Sequence, residues 1–274
     1  MTKSIHILSI GCGNMGAAIL SGLITGQPGV RVTAIDPDPD RARRLLPRGA
    51  DVTIHDTLIP GAQPVPDVTM LAVKPQQFHV IARDSALRAA VADGLTVSIM
   101  AGVSVATICD TLQTKRVARV MPNLPALVGA AMSTGYASAS LSQIDRDRTA
   151  AIFETVGDFL WLAEEHQIDA ATAVAGSGPG YVFAFAEHLE KAAVAQGLGA
   201  AEARRLVRGT LAGAARMLAG DARTAAELKS AVTSKGGTTE AGLAVLEARA
   251  ALPELVPQAV RAAERRARQL SGQQ

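Results

Sequence analysis

The sequence has little aromatic bulk: Phe, Trp and Tyr make up 3% of its 274 residues, and there is one Trp. The core must therefore be aliphatic and Ala-rich, which lets helices approach closely. Cysteine is almost absent as well. Cys12 and Cys109 make neither a disulfide framework nor a four-ligand zinc set, so both read as small apolar fillers and no metal is expected. Neither sign of charge is in excess. With 27 Lys+Arg against 25 Asp+Glu the formal net charge is +2, and no nucleic-acid partner is expected. No apolar run reaches the roughly 20 residues that a membrane-spanning helix needs. The apolar stretch after the N-terminus stops at glycines, with no small-residue cleavage site. A cytoplasmic location without a membrane partner is the expectation. A disordered chain is excluded by 48% hydrophobic and 19% charged residues. Folding a chain of this length buries roughly 70–75% of the surface it exposes when unfolded.

What is present changes character along the chain. Apolar runs rich in Ile and Val occur at Ile5–Ile10, Val30–Ile35, Val68–Val73, Leu95–Met100 and Val117–Met121, separated by helix-like stretches. Weaker strand signals follow near Ala130–Ala137 and Phe159–Leu162. Short buried strands alternating with helices predict a mostly parallel sheet covered on both faces. Beyond about residue 165 strand signals vanish. Tyr181, Phe185, Leu189 and Ala192 make one helical stripe, and Val207, Leu211, Ala214 and Leu218 another. Pro253 can open a last helix with Val256, Val260, Ala263, Ala267 and Leu270 on its apolar side. Two domains are expected, 1–163 and 164–274. About 110 residues of helix carry more apolar surface than they can hide alone, so a homodimer through this half is expected.

Gly11-Cys12-Gly13-Asn14-Met15-Gly16 follows the first strand and precedes a helix-like segment. Gly11 suits a tight turn, Gly13 a close backbone approach to a pyrophosphate, and Gly16 close helix–strand packing. The second strand ends at Asp36, 20 residues after Gly16. A carboxylate there accepts from a ribose diol and repels a 2′-phosphate, which favours NADH, although Arg41, Arg43 and Arg44 follow closely. Asp38, ahead of Pro39, reads as an N-cap. In a doubly wound, Rossmann-like sheet, ligands lie beyond the carboxyl ends of the strands. That adds Ala72, Val73, Lys74 and Pro75 at one strand end and Met100 and Ala101 at the next. In the helical half, Thr233-Ser234-Lys235-Gly236-Gly237-Thr238-Thr239 reads either as a carboxylate receptor made of inward N–H groups or as a helix–helix turn capped by Thr239. Gly176-Ser177-Gly178-Pro179-Gly180-Tyr181 reads likewise as a loop that can shape a substrate wall, or as a cap.

IGCGNMGAAI, LAVKPQ, MPNLPALVGAAM, VAGSGPGYVFAF and LKSAVTSKGGTTEAGLAVLE occur in this order over nearly the whole chain. Together they resemble the pyrroline-5-carboxylate reductase family. The resemblance implies an α/β N-terminal Rossmann-like domain, an all-helical dimerisation domain, and NAD(P)H-dependent reduction of a cyclic imine to proline, the last step of proline biosynthesis. It implies dimers, and often decamers. By position it implies cofactor contacts from Gly11, Cys12, Gly13, Asn14, Met15, Gly16, Asp36, Asp56, Ala72, Val73, Lys74, Pro75, Ile99, Met100 and Ala101. It implies substrate contacts from Glu165, Ser234, Gly236, Gly237, Thr238 and Thr239, with the Thr239 hydroxyl on the substrate nitrogen as the catalytic contact. Ala231 and Lys235 depart from the family's usual Asn or Gln and Pro. His166 and Lys191 read as surface residues. The rival readings are another imine reductase, a β-hydroxyacid dehydrogenase, or a nucleotide-sensing scaffold. For the dehydrogenase only Lys191 is a candidate proton donor, and no Asn follows it one helical turn later.

Overall fold

The structure is a computed structural model and describes residues 5–49, 51–58 and 65–271. It divides into two compact units: the chain up to Ser177 together with the segment from Ala263 onward, and Gly178–Ala262.

Among the described residues, the first unit is built on eight strands. They are β1 (His6–Ile10), β2 (Arg31–Ile35), β3 (Val52–His55), β4 (Val68–Leu71), β5 (Leu95–Ser98), β6 (Val117–Met121), β7 (Ala131–Ala137) and β8 (Gly157–Trp161). Their order in the sheet is β3-β2-β1-β4-β5-β6-β7-β8. Every pairing is parallel except β6 with β7. The first six follow the doubly wound order, with the chain reversing direction across the sheet beside β1. Residues of β1, β4 and β5 are buried throughout, as expected for strands covered on both faces. β3 is the strand that the periodicity does not reveal. Val-Thr-Ile-His is four residues long, lies at the sheet edge and is only partly buried, so it lacks the continuous apolar run of its neighbours.

The connecting helices are α1 (Asn14–Gly26), α2 (Pro39–Leu45), α3 (Phe78–Ile81), α4 (Ser85–Val91), α5 (Val105–Leu112), α6 (Gln143–Glu154) and α7 (Gln167–Ala171). One core cluster holds Ile19 and Leu23 of α1, Ala42 of α2 and Phe153 of α6. A second holds Phe78, Leu87, Val91 and Ile108 from α3, α4 and α5. The sheet thus separates two aliphatic cores. Short polar residues start the helices, as the sequence suggests. Asp38 accepts the Arg41 N–H at 2.9 Å with Pro39 at the first helical position, and Ser104 and Ser142 cap α5 and α6.

The second unit contains α8 (Gly178–Ala195), α9 (Ala200–Gly220), α10 (Ala225–Ala231), α11 (Thr238–Leu246) and the start of α12 (Leu252–Leu270). α8 and α9 pack against each other. No residue of α8 or α11 is buried in the single chain. Val182, Phe183, Leu206, Met217 and Leu255 stand about half exposed. Of the expected stripes, Tyr181, Phe185 and Leu189 of α8 and Leu218 of α9 are exposed, whereas Val207 of α9 is buried.

Arg116 ties the start of β6 to the first turn of α6. Its Nε and Nη2 donate to the two oxygens of Asp145 at 3.0 and 2.6 Å. The carboxylate is 2% exposed and the guanidinium 39%. Burial pushes the Asp145 carboxyl up, but the hydrogen bonds from Arg116 and Ser142 outweigh it and hold the pKa below its ordinary value. A depressed carboxylate pKa stabilises the fold above the unfolded value and loses that contribution as pH falls through the folded one. Arg116→Ala is expected to cost about 2 kcal/mol near neutral pH, at the low side for a buried pair because Arg116 is part-solvated. Denaturant titrations should show that deficit shrinking below about pH 4, as Asp145 protonates.

Candidate functional site

The turn from β1 into α1 depends on close backbone contact. Gly11 has φ +94°, and a Cβ there would lie 2.6 Å from the Ala72 carbonyl oxygen. Its N–H donates to the Ile35 carbonyl at 2.8 Å, and the Ala72 N–H donates to the Ile10 carbonyl at 2.8 Å. The turn is therefore fixed between the ends of β2 and β4. Gly16 is nearly as confined, since its Cβ would come 3.1 Å from that of Ala72. Gly13 differs: a Cβ there meets nothing within 4 Å. Gly13 is the N-cap of α1, without a side-chain cap bond, and the first turn contains no acidic residue. Its N–H groups therefore remain directed at a negative charge arriving from outside. These features fit a dinucleotide pyrophosphate lying across Gly13 to Met15.

Asp36 holds the outer side of this turn. Its Oδ2 accepts the Cys12 N–H at 2.8 Å and its Oδ1 the Asp38 N–H at 3.0 Å, while Arg41 Nη2 lies 3.2 and 3.3 Å from the two oxygens. The carboxylate is 4% exposed. Burial first, then the Asp36 charge, push the Cys12 thiol up to about 11, so it is a protonated apolar filler, consistent with its expected role. Beside Gly11 opens a cleft of about 270 Å³, lined among others by Ile35, Asp56, Leu58, Val73 and Ile81. Mostly apolar walls with a few polar groups suit a flat heterocycle. Asp56 is exposed at its rim and accepts a hydrogen bond from Thr57 Oγ1.

Ala72, Val73, Lys74 and Pro75 leave β4, and Ile99, Met100 and Ala101 leave β5, at the same carboxyl edge. All the expected cofactor residues thus share one edge of one sheet. Lys74 is exposed and starts the short turn over Pro75–Gln77. Gly102 follows with φ +73°. A Cβ there would come 2.6 Å from the Leu270 carbonyl oxygen, so the returning chain end packs directly on this loop.

Glu165, expected at the substrate, is engaged in the first unit. Its Oε1 accepts the Val105 N–H at 2.8 Å and Arg119 Nη1 at 3.0 Å. Arg119, 3% exposed, also lies 3.8 Å from Asp169, and Ser271 Oγ donates to Asp169 at 3.3 Å. Sequence reasoning missed Arg119. Its only signal is a lone arginine inside the apolar strand Val117–Met121.

In the second unit, the segment from Ser234 to Thr239 joins α10 to α11. Gly236 has φ +73°, and its N–H donates to Glu240 Oε2 at 2.7 Å; the Gly237 N–H donates to the Ser234 carbonyl at 3.0 Å. The N-cap is Gly237, not Thr239, and no side chain caps the helix. Two of the N–H groups expected to face a carboxylate are thus used internally. Those at the start of α11, from Thr238 onward, are not capped. His166 and Lys191 are exposed and paired with neighbouring Glu164 and Glu187. Among the described residues no helix is long and apolar enough to cross a membrane, and no group of His, Cys, Asp and Glu could hold a metal ion.

A doubly wound sheet with a glycine turn, an uncapped helix start and a largely apolar cleft at its carboxyl edge defines a dinucleotide-dependent oxidoreductase. Residues 5–102 match the family described as NADP oxidoreductase, coenzyme F420-dependent, and residues 165–270 match that of pyrroline-5-carboxylate reductase dimerisation. The chain is 37% identical to the pyrroline-5-carboxylate reductase of Pseudomonas aeruginosa, over 98% of this chain and 97% of that one. It is 38% identical to that of Synechocystis, covering 97% and 98%. A solved pyrroline-5-carboxylate reductase from Coxiella burnetii superposes with a TM-score of 0.89 at 32% identity, covering 98% and 99%. The chain belongs to the pyrroline-5-carboxylate reductase family, and its uncovered helical stripes lie within the family's dimerisation region.

The two kinds of glycine separate in mutants. Gly11→Ala should destabilise the fold by more than about 2 kcal/mol, through positive φ and backbone overlap. Gly13→Ala should leave thermal stability almost unchanged yet weaken dinucleotide binding about tenfold or more, read by fluorescence titration.

Proposed function

We propose that this protein reduces 1-pyrroline-5-carboxylate to L-proline with NADH or NADPH, acting on a CH–NH bond as the last step of proline biosynthesis. The observation that carries this reading is the combination of the glycine turn at β1–α1 with the hydroxyl-rich turn at 234–239, in a chain that matches its relatives from end to end. In this reading residues up to 163 bind the dinucleotide, and residues from 164 bind substrate and dimerise. The cytoplasm as its location and a decamer built from dimers belong to the same reading.

The reduced nicotinamide, when bound, supplies the hydride. The protein's part is positioning and electrostatics. The imine is most electrophilic with its nitrogen protonated, and it can arrive in that form. The N–H groups at the start of α11 hold its carboxylate, aided by the field of the helix terminus. Thr239 Oγ holds the ring nitrogen and so aims the imine carbon. Glu165, whose Oε1 accepts from the Val105 N–H and Arg119, is a substrate contact in this reading. Arg119 cancels much of its charge, so Glu165 orients more than it attracts. Lys235, where the family usually has Pro, adds a cation near the carboxylate, and Ala231 removes one polar contact.

The test is dinucleotide oxidation with and without pyrroline-5-carboxylate. Oxidation of the reduced dinucleotide that requires the imine, and no reduction of NAD+ or NADP+ by β-hydroxy acids in the reverse direction, is the expected result. Thr239→Ala should lower kcat roughly 100-fold while nucleotide affinity stays within about twofold, and Thr239→Ser should recover most of the rate. Unchanged kinetics in Thr239→Ala would remove that hydroxyl from the reaction.

A further inference from the structure

The segment Asp36-Pro37-Asp38-Pro39-Asp40-Arg41 leaves β2 beside the cleft, where an adenosine ribose is received in a sheet of this order. A ribose 2′-phosphate bound there would need free N–H groups or an uncommitted cation. The turn has been stripped of both. Pro37 and Pro39 have no N–H. The Asp36 N–H is in the sheet, donating to the His55 carbonyl at 3.0 Å. The Asp38 N–H donates to Asp36 Oδ1 at 3.0 Å, and the Arg41 N–H to Asp38 Oδ1 at 2.9 Å. That leaves at most the N–H of Asp40, beneath its own carboxylate. The two nearest guanidinium groups are held by acids as well. Arg41 lies on Asp36, and Arg43 donates to Asp40 at 3.0 Å. Three carboxylates at alternating positions would face any phosphate approaching this turn.

We propose that this turn makes the enzyme selective for NADH over NADPH, with Asp36, Asp38 and the two prolines as the specificity determinants. The inference rests on reading the sheet edge as a dinucleotide site, and it does not depend on the imine. Asp36 already gives one lone pair of each oxygen to a backbone N–H. The diol of an unphosphorylated ribose takes the place that Arg41 occupies, and Arg41, 47% exposed, is free to swing into solvent. A 2′-phosphate at the same place meets the charge of Asp36 and Asp38 with no backbone N–H to offset it, and can draw on Arg41 only by taking it from the Asp36 carboxylate. Arg44 and Arg48, which share a surface hollow with Asp40 and Arg43, offer a competing phosphate site.

The experiment titrates the full-length protein with NADH and with NADPH in the absence of imine, following nicotinamide fluorescence. NADH is expected to bind about tenfold tighter or more, equivalent to about 1.4 kcal/mol. Asp38→Asn keeps an acceptor for the Arg41 N–H and removes one charge, so it should narrow the gap several-fold. Asp36→Ser should narrow it further, with some loss for both nucleotides because the Cys12 N–H loses its partner. Equal or tighter binding of NADPH by the wild type would overturn the proposal, and its loss in Arg44→Ala would locate the phosphate instead. A preference for NADH that neither variant changes would also overturn it. Selective NADH binding without imine turnover would leave this inference standing and remove only the assigned reaction.

Discussion

The contact between the Gly11 backbone and the end of β4 is the constraint on which the sheet edge depends. An L side chain at position 11 would overlap the Ala72 carbonyl, so the turn exists only because there is no Cβ. With Gly11 in place, its N–H reaches the Ile35 carbonyl and Asp36 reaches the Cys12 N–H. The loop is then joined to β2 on one side and β4 on the other. Gly13, which has no such neighbours, is left at the lip of the turn with the bare start of α1 behind it. Three glycines of one motif therefore do two kinds of work. Gly11 and Gly16 build the turn, and Gly13 keeps its outer face open to a pyrophosphate.

Carboxylates in this unit act mainly as ties between elements distant in sequence. Asp36 joins β2 to the glycine turn, Asp145 joins α6 to the start of β6, and Glu165 joins the strap after β8 to the first N–H of α5. Each is paired with arginine, which offsets the cost of burying the charge. The consequence for chemistry is direct. A carboxylate already held by an arginine and a backbone N–H has little field left to lend to a substrate cation. Such a residue shapes a site more than it drives the reaction.

Several local rules of the sequence hold in the structure, although the Thr239 cap does not. Long Ile/Val runs became β1, β2, β4, β5 and β6, and Asp38-Pro39 became an N-cap followed by proline at the first helical position. β3 was illegible because four half-buried edge residues carry no run that periodicity can detect. The cofactor edge was legible because strand ends, and not side-chain pairings, define it. Arg119 was not, because its partners Glu165 and Asp169 are 46 and 50 residues away and only the fold unites them. The 234–239 turn shows the intermediate case. Its glycines announced a turn, but the choice of Gly237 as cap, and the capture of the Gly236 N–H by Glu240, depend on backbone geometry that composition does not encode.

The helical unit follows a different logic from the sheet. Its stripes were readable because helical period alone defines them, yet Tyr181, Phe185, Leu189 and Leu218 stay more than a third exposed in one chain. At roughly 25 cal/mol per Å² of apolar surface removed from water, several such side chains amount to a substantial unrealised stabilisation. The few aromatics are not spread evenly: Tyr181, Phe183 and Phe185 stand exposed on α8, bulky anchors on helices otherwise faced with Ala, Leu and Val that a second copy can cover. Surface left uncovered by the fold of one chain, within the region its family uses to dimerise, makes self-association a continuation of folding. In such a protein the stability of the helical half depends on protomer concentration, while that of the sheet is set within the chain.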